Sequence, residues 1–243
     1  MNEAKAYGDR TFTAMMYAKV LCVQLINYLG YDVLFQDVDM VWLKDPMELF
    51  HDENSPLSKF HILFQDDGVR SVRYAPFSAN TGFYYVRFNQ KTKYLFISLL
   101  YMGDLINTVH SHQQALSALL IEHSSLYGLR VKVLDGAVLP GGFHYHNRPA
   151  FMRKIIDKKE DPYIFHMSWT ANKDNKLLFM KQMGWWYVDE TCYENVLAGT
   201  KSADAKSCCL TKPMIKCYYS DKPSVIPCKG SPQIDRTGRQ FWK

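Results

Sequence analysis

Between Phe12 and Met47 the chain reads as helix, strand, acidic pair and helix start, an order that few architectures accommodate. Phe12, Met15, Met16, Val20, Val23, Leu25, Ile26 and Leu29 recur at helical spacing and stop at Gly30, a residue suited to the position just past a helix end. The apolar run Val33-Leu34-Phe35 then leads into Asp37-Val38-Asp39. Strand side chains alternate with period two, so both carboxylates are expected to leave the sheet edge on the same side. Lys44-Asp45-Pro46-Met47 reads as an N-cap followed by proline at the first helical position. Open α/β sheets bind ligands at the C-terminal ends of their strands. Two hard oxygen donors placed there suit Mg²⁺ or Mn²⁺, and such an ion can in turn hold a diphosphate.

The rest of the chain continues the alternation. Strands are expected near 32–36, 60–65, 82–88, 130–134 and 162–167, and helices near 11–29, 46–50, 91–106, 112–123 and 173–183. Apolar runs alternating with helical patterns predict an α/β architecture. No internal repeat or low-complexity tract interrupts it. Near Thr191 aromatic-rich periodic sequence gives way to loop rich in Cys, Pro and Lys, so the chain divides into a domain over 1–190 and a Cys-rich tail over 191–243.

With 243 residues, 47% hydrophobic and 14% aromatic, the chain can bury one sizeable core and is not of disordered composition. No uninterrupted apolar stretch is long enough to span a membrane, and Met1-Asn2-Glu3-Ala4-Lys5 lacks a signal-peptide core. The net charge of +5 is mild and its basic residues are scattered, with no stripe that would argue for nucleic acid. Cys22 falls inside the first helix and is expected to be a buried free thiol. Cys192, Cys208, Cys209, Cys217 and Cys228 crowd the last fifth of the chain. A tail that cannot bury its own core needs staples, which disulfides in an oxidising compartment would supply. Zinc is the rival, but no Cys-x-x-Cys pair exists and no His follows residue 166. Five being odd, one of these cysteines is expected to stay free or to pair elsewhere.

Several segments together resemble the nucleotide-diphospho-sugar transferases, glycosyltransferases of the Rossmann-like GT-A fold, and most of all the retaining branch that includes plant cell-wall xylosyl- and arabinosyltransferases. The likeness is carried by Tyr17-Ala18-Lys19, Leu29-Gly30-Tyr31, the acidic pair and Trp42-Leu43-Lys44-Asp45-Pro46. Ala79-Asn80-Thr81-Gly82-Phe83 is similar to the family's sugar-binding Asn-x-Gly segment. His112-Gln113-Gln114-Ala115-Leu116-Ser117 looks like its Asp-Gln-x-x-x-Asn helix start, with His112 and Ser117 as departures. His166-Met167-Ser168-Trp169 with Lys173 looks like its late His-to-Lys segment. Family members place the units that hold the nucleobase ahead of the acidic pair, and only 32 residues precede Val33. The resemblance therefore implies the C-terminal part of a GT-A domain, truncated at its N-terminus.

It also implies roles. Asp37, Asp39 and His166 would hold the metal, Mn²⁺ being favoured over Mg²⁺ by the imidazole nitrogen. Lys19 and Lys173 would neutralise phosphate oxygens as point charges. Asn80, Thr81, Gly82, Asp66, Asp67 and His112 would contact the donor sugar, and Gln113 and Gln114 would steady the oxocarbenium-like centre. Without the resemblance the same residues read more plainly. His166 is then a hydrogen-bonded histidine at a strand end, Lys19 a snorkelling helix lysine, Lys173 a solvated one, Asn80-Thr81-Gly82 a turn, and Gln113-Gln114 a helix N-terminus. The implied activity is sugar transfer from a UDP-sugar to a glycan or glycoprotein in the Golgi lumen, with any membrane anchor outside this sequence. Two other readings stand beside it: an inactive nucleotide-sugar-binding pseudoenzyme, and a haloacid-dehalogenase-type phosphohydrolase in which Asp37 would be nucleophile and Asp39 acid/base.

Overall fold

The computed structural model describes residues 8–68, 70–170, 173–199 and 205–213. The chain divides into two compact units. One comprises Met1–Asn147 with Asp161–Trp169, the other Arg148–Glu160 with Thr170–Lys243.

The first unit is α/β and is built on a four-stranded mixed sheet. Its strands are β1 (Val33–Gln36), β3 (Ile62–Asp66), β4 (Ala79–Val86) and β5 (Val131–Val133), in the order β1-β4-β3-β5. β4 runs antiparallel to both neighbours, and β3 pairs with β5 in parallel. Every residue of β4 is buried, as a strand covered on both faces requires. Alternate side chains feed two separate cores. Ile62, Phe64, Tyr84 and Val86 point to one face, where they meet Met16, Val20 and Val23 of α1 (Arg10–Tyr28), Leu95, Phe96 and Leu99 of α3 (Gln90–Tyr101), and Leu116, Leu119 and Leu120 of α5 (His112–Leu126). Leu63, Phe83 and Tyr85 point to the other, against Phe50 of α2 (Met47–His51), Leu134, Leu139 and Ile164.

A second, two-stranded sheet pairs β2 (Met40–Trp42) with β6 (Ile164–His166) antiparallel, with Met40 opposite His166. β2 was not expected from sequence, because three residues are too short for periodicity to register. Its consequence is topological. The strand ending at His166 lies beside the one that follows Asp39, rather than beside the one that precedes Asp37.

Local chemistry explains the element ends. The carboxylate of Asp9 accepts from Phe12 N at 2.7 Å and starts α1. Gly30, at φ +99°, lies in the left-handed region just past its end. Asn89 and Thr92 form a reciprocal capping box on α3. The expected helix over 91–106 is two, α3 and α4 (Gly103–Val109), separated at Met102. At α2 the N-cap is Pro46, and Asp45 serves instead by accepting from Met47 N at 2.9 Å. Cys22 is exposed, contrary to the buried thiol expected. The buried stripe of α1 runs through Met16, Val20 and Val23, which leaves Cys22 on the solvent side with Leu21 and Leu25. α6 (Gly142–Asn147) completes this unit.

The second unit contains α7 (Pro149–Ile156), α8 (Lys173–Gln182) and α9 (Glu190–Leu197). Met152, Phe179, Met180 and Met183 are buried, and Phe179 meets Trp185 edge to face at 5.8 Å. Asp189 caps α9 by accepting from Cys192 N at 3.0 Å. Cys192 and Cys208 form a disulfide, as expected of the Cys-rich segment. Cys209 is an exposed free thiol, and Cys217 and Cys228 lie outside the described residues. No helix among the described residues is long and apolar enough to cross a membrane.

Candidate active site

Asp37 and Asp39 occupy the bend between β1 and β2, with Val38 between them fully exposed. Asp37 N donates to Gly82 O at 2.7 Å, tying the bend to the central strand. On the other side Asp39 O accepts from Met167 N at 2.9 Å, which brings the end of β6 alongside. One side-chain donor atom each from Asp37, Asp39 and His166 then lies within 4.8 Å of the other two. Asp37, Asp39 and His166 thus lie together in space, the histidine arriving through β2.

The polarity of His166 is set by a residue that sequence reading passed over. Gln65 donates its Nε2 to the carbonyls of Leu139 and Pro140 at 2.9 and 3.0 Å, so its Oε1 must face His166 Nδ1, 2.7 Å away. An amide oxygen only accepts, so Nδ1 carries a proton, and in the neutral ring Nε2 is the nitrogen that holds the lone pair. That nitrogen faces Asp39 Oδ1 at 3.4 Å. Two lone-pair donors turned toward each other in a buried place repel unless a cation or proton lies between them. The donor set fits a divalent ion: two carboxylates, and an imidazole whose other nitrogen is held by an outer partner. A clue to Gln65 was present, since it is the polar residue that directly follows the apolar run Ile62-Leu63-Phe64 and still falls within the expected strand.

Lys19 of α1 reaches the same cluster and pairs with Asp37 Oδ1 at 2.5 Å. Gly82 lies beneath it. A Cβ there would come within 2.5 Å of His166 Cε1, 2.8 Å of Asp37 Oδ2 and 2.9 Å of Asn80 Oδ1. Only glycine leaves that floor open to the facing side chains.

The expected sugar-binding segment lies inside β4 rather than in a turn ahead of it. The register between β3 and β4 slips between Phe64 and Gln65, so that Phe64 faces Tyr84 while Gln65 faces Asn80. Beyond this bulge Gly82 lies beside the acidic bend, where its carbonyl accepts from Asp37 N. Asn80 donates to Asp67 Oδ1 at 2.6 Å and accepts from Gly82 N at 2.7 Å. Thr81 donates both its N–H and its hydroxyl to Gln113 Oε1, each at 3.2 Å. Burial pushes the Asp67 carboxyl up, against hydrogen bonds from Asn80 and Gln113 and the nearby His166. Burial also acts against the charge of Asp66, yet bonds from Arg70 and Gly68 N outweigh it and hold that carboxyl below the usual range. Asp66 and Asp67 therefore differ: one is clamped by a surface arginine, the other is buried under the site.

His112 is 3% exposed, and neither ring nitrogen has a hydrogen-bond partner. Burial, helped by the charge of Lys19, lowers its pKa to about 3, so the ring is neutral. Gln114 is half-buried in the first turn of α5. Lys173 opens α8 in the second unit.

The sequence model of the nucleotide-diphospho-sugar transferases matches residues 1–180. The chain belongs to that family. It is 26% identical over 200 residues to a Dictyostelium discoideum UDP-galactose:fucoside alpha-3-galactosyltransferase, a match covering 77% of this chain and 30% of that protein. It is also 32% identical over 93 residues to an uncharacterized Arabidopsis thaliana protein, covering 38% of this chain and 25% of that one. The matches thus span less than a third of either relative's length. No solved structure matches the chain.

Proposed function

We propose that this chain carries the catalytic centre of a glycosyltransferase that moves a sugar from a UDP-sugar to a glycan or glycoprotein acceptor, with retention of anomeric configuration. The observation that supports it most is the convergence of Asp37, Asp39 and the Nε2 lone pair of His166 in a chain of this family. These three would hold Mn²⁺ or Mg²⁺. Such an ion supplies electrostatic stabilisation of the departing diphosphate.

The protein's own groups divide the remaining work. Lys19, beside Asp37, offers a positive charge to phosphate oxygens, and Lys173 is proposed to do the same. Gln65 holds the His166 ring in one tautomer. Asp67, Asn80, Thr81 and Gly82 form the floor on which the donor sugar would lie, with His112 and Asp66 at its hydroxyls. Gln113 buttresses that floor through Thr81, and Gln114 is assigned to the sugar face opposite the leaving group. The relative's printed name makes UDP-galactose and a fucoside the first donor and acceptor to test. The disulfide between Cys192 and Cys208 favours an oxidising compartment, consistent with the Golgi lumen.

Isothermal calorimetry with UDP and Mn²⁺ tests the reading. Asp37→Ala and Asp39→Ala should each abolish Mn²⁺-dependent UDP binding, because one remaining carboxylate cannot hold ion and diphosphate together. Unchanged affinity in both variants would overturn the metal assignment. Tight UDP binding with no transfer from any UDP-sugar would instead mark a binding module.

A further inference from the structure

Trp169 adopts φ +66°, a left-handed backbone conformation that bulky side chains avoid and that persists only where surrounding contacts impose it. The contacts that impose it can be named. The indole Nε1–H donates to Asp67 O at 3.0 Å, and the ring meets Phe143 edge to face, with centroids 5.7 Å apart at 68°. Two glycines make room for the pair. A Cβ on Gly68 would come within 2.1 Å of Phe143 Cγ, and one on Gly142 would lie 1.6 Å from Ser168 O and 3.0 Å from Trp169 Cβ. Both rings are nevertheless only half-buried. The fold thus strains its backbone and spends two glycines to hold two large apolar rings partly in solvent, three residues from His166 and directly on Asp67.

We propose that Phe143 and Trp169 form an aromatic platform that receives the apolar face of a pyranose ring. A pyranose presents a patch of C–H groups on one face and hydroxyls around its edge, and aromatic surface bounded by a few fixed polar groups is complementary to that pattern. The fixed polar groups against these rings are the Asp67 backbone, whose carbonyl holds the indole, and His144, which meets Phe143 edge to face at 5.8 Å. The inference rests on the proposed function for its choice of ligand. The ring could be that of the donor sugar or that of the acceptor.

The test uses Trp169→Gly, Trp169→Phe and Phe143→Leu. Glycine suits φ +66°, so Trp169→Gly removes the ring while relieving the backbone, and the other two variants carry the test should it not fold. Affinities for UDP and UDP-galactose with Mn²⁺ are measured by calorimetry, and contact with methyl α-L-fucopyranoside by saturation-transfer NMR, with and without UDP. UDP affinity is expected to stay within about twofold in all three variants. A donor platform predicts that UDP-galactose loses at least tenfold in Trp169→Gly and less in Trp169→Phe. An acceptor platform predicts that the ring-proton saturation of the fucoside disappears in Trp169→Gly and Phe143→Leu. If both ligands bind the variants as they bind the parent, the platform is overturned. Fucoside contact that depends on Trp169 in a protein indifferent to UDP would overturn the donor assignment and leave the platform standing.

Discussion

Gln65 shows how one side chain can decide the chemistry of another. Its amide is oriented by two backbone carbonyls, and that orientation fixes a proton on His166 Nδ1, so that the neutral ring turns its Nε2 lone pair toward Asp39. Gln65→Leu should therefore lower Mn²⁺ affinity by about 10–100-fold, the usual cost of losing such an outer partner. Manganese titration followed by electron paramagnetic resonance reads it, and unaltered affinity would mean that β6 alone orients the ring. His112 makes a different prediction, through pH. Its folded-state pKa is about 3 against an ordinary value of 6.5. Between those values the unfolded chain binds a proton that the folded one refuses, so stability falls as pH falls from 6.5 toward 3. Urea denaturation at pH 7 and pH 5 should show a smaller loss in His112→Asn than in the parent. Equal losses would show that other groups dominate the acid limb. Motif likeness pointed to both His112 and His166. It did not show the burial that keeps His112 neutral, nor the Gln65 contact, spanning 101 residues, that fixes a proton on His166 Nδ1.

At the scale of elements, the bulge in β4 matters most. An unbroken register would have continued the Phe64–Tyr84 ladder past Gln65, whereas the slip sets Gln65 opposite Asn80 and places Gly82 under Asp37 and His166. Gly82→Ala should consequently abolish Mn²⁺ binding, since its methyl would intrude on both ligands at once. The fold should survive, because the strand's apolar contacts lie at Phe83, Tyr84, Tyr85 and Val86. Wild-type Mn²⁺ affinity in Gly82→Ala would show that the ligands can move aside. Asn80-Thr81-Gly82 read in sequence as turn chemistry, and so it does locally, with Asn80 accepting from Gly82 N. A bulge inside a strand uses the same hydrogen bond, which is why the two readings could not be separated beforehand. α1, α3 and α5 were more legible. Their caps are local, and their apolar spacing is regular.

Across the whole molecule, the first unit is organised around β4, with β1 and β5 as the sheet's outer strands among the described residues. Amides of a strand bonded on both sides and covered on both faces open only with the whole unit. Native-state hydrogen exchange should therefore find the Tyr84 and Val86 amides in the slowest class, with alternate amides of β1 exchanging faster. Equal protection along β1 would show that its free edge is covered. What the sequence by itself determined is local: the helix and strand alternation, the caps, the acidic pair and the motif order from which the family was read. These depend on residues within a few positions of one another, where backbone sterics and side-chain periodicity act. Only the tertiary structure decided the mixed order of the sheet, the arrival of His166 through β2, the tautomer imposed by Gln65 and the exposure of Cys22. Each of these is settled by which surfaces bury one another, a competition among long-range pairings that no local periodicity records.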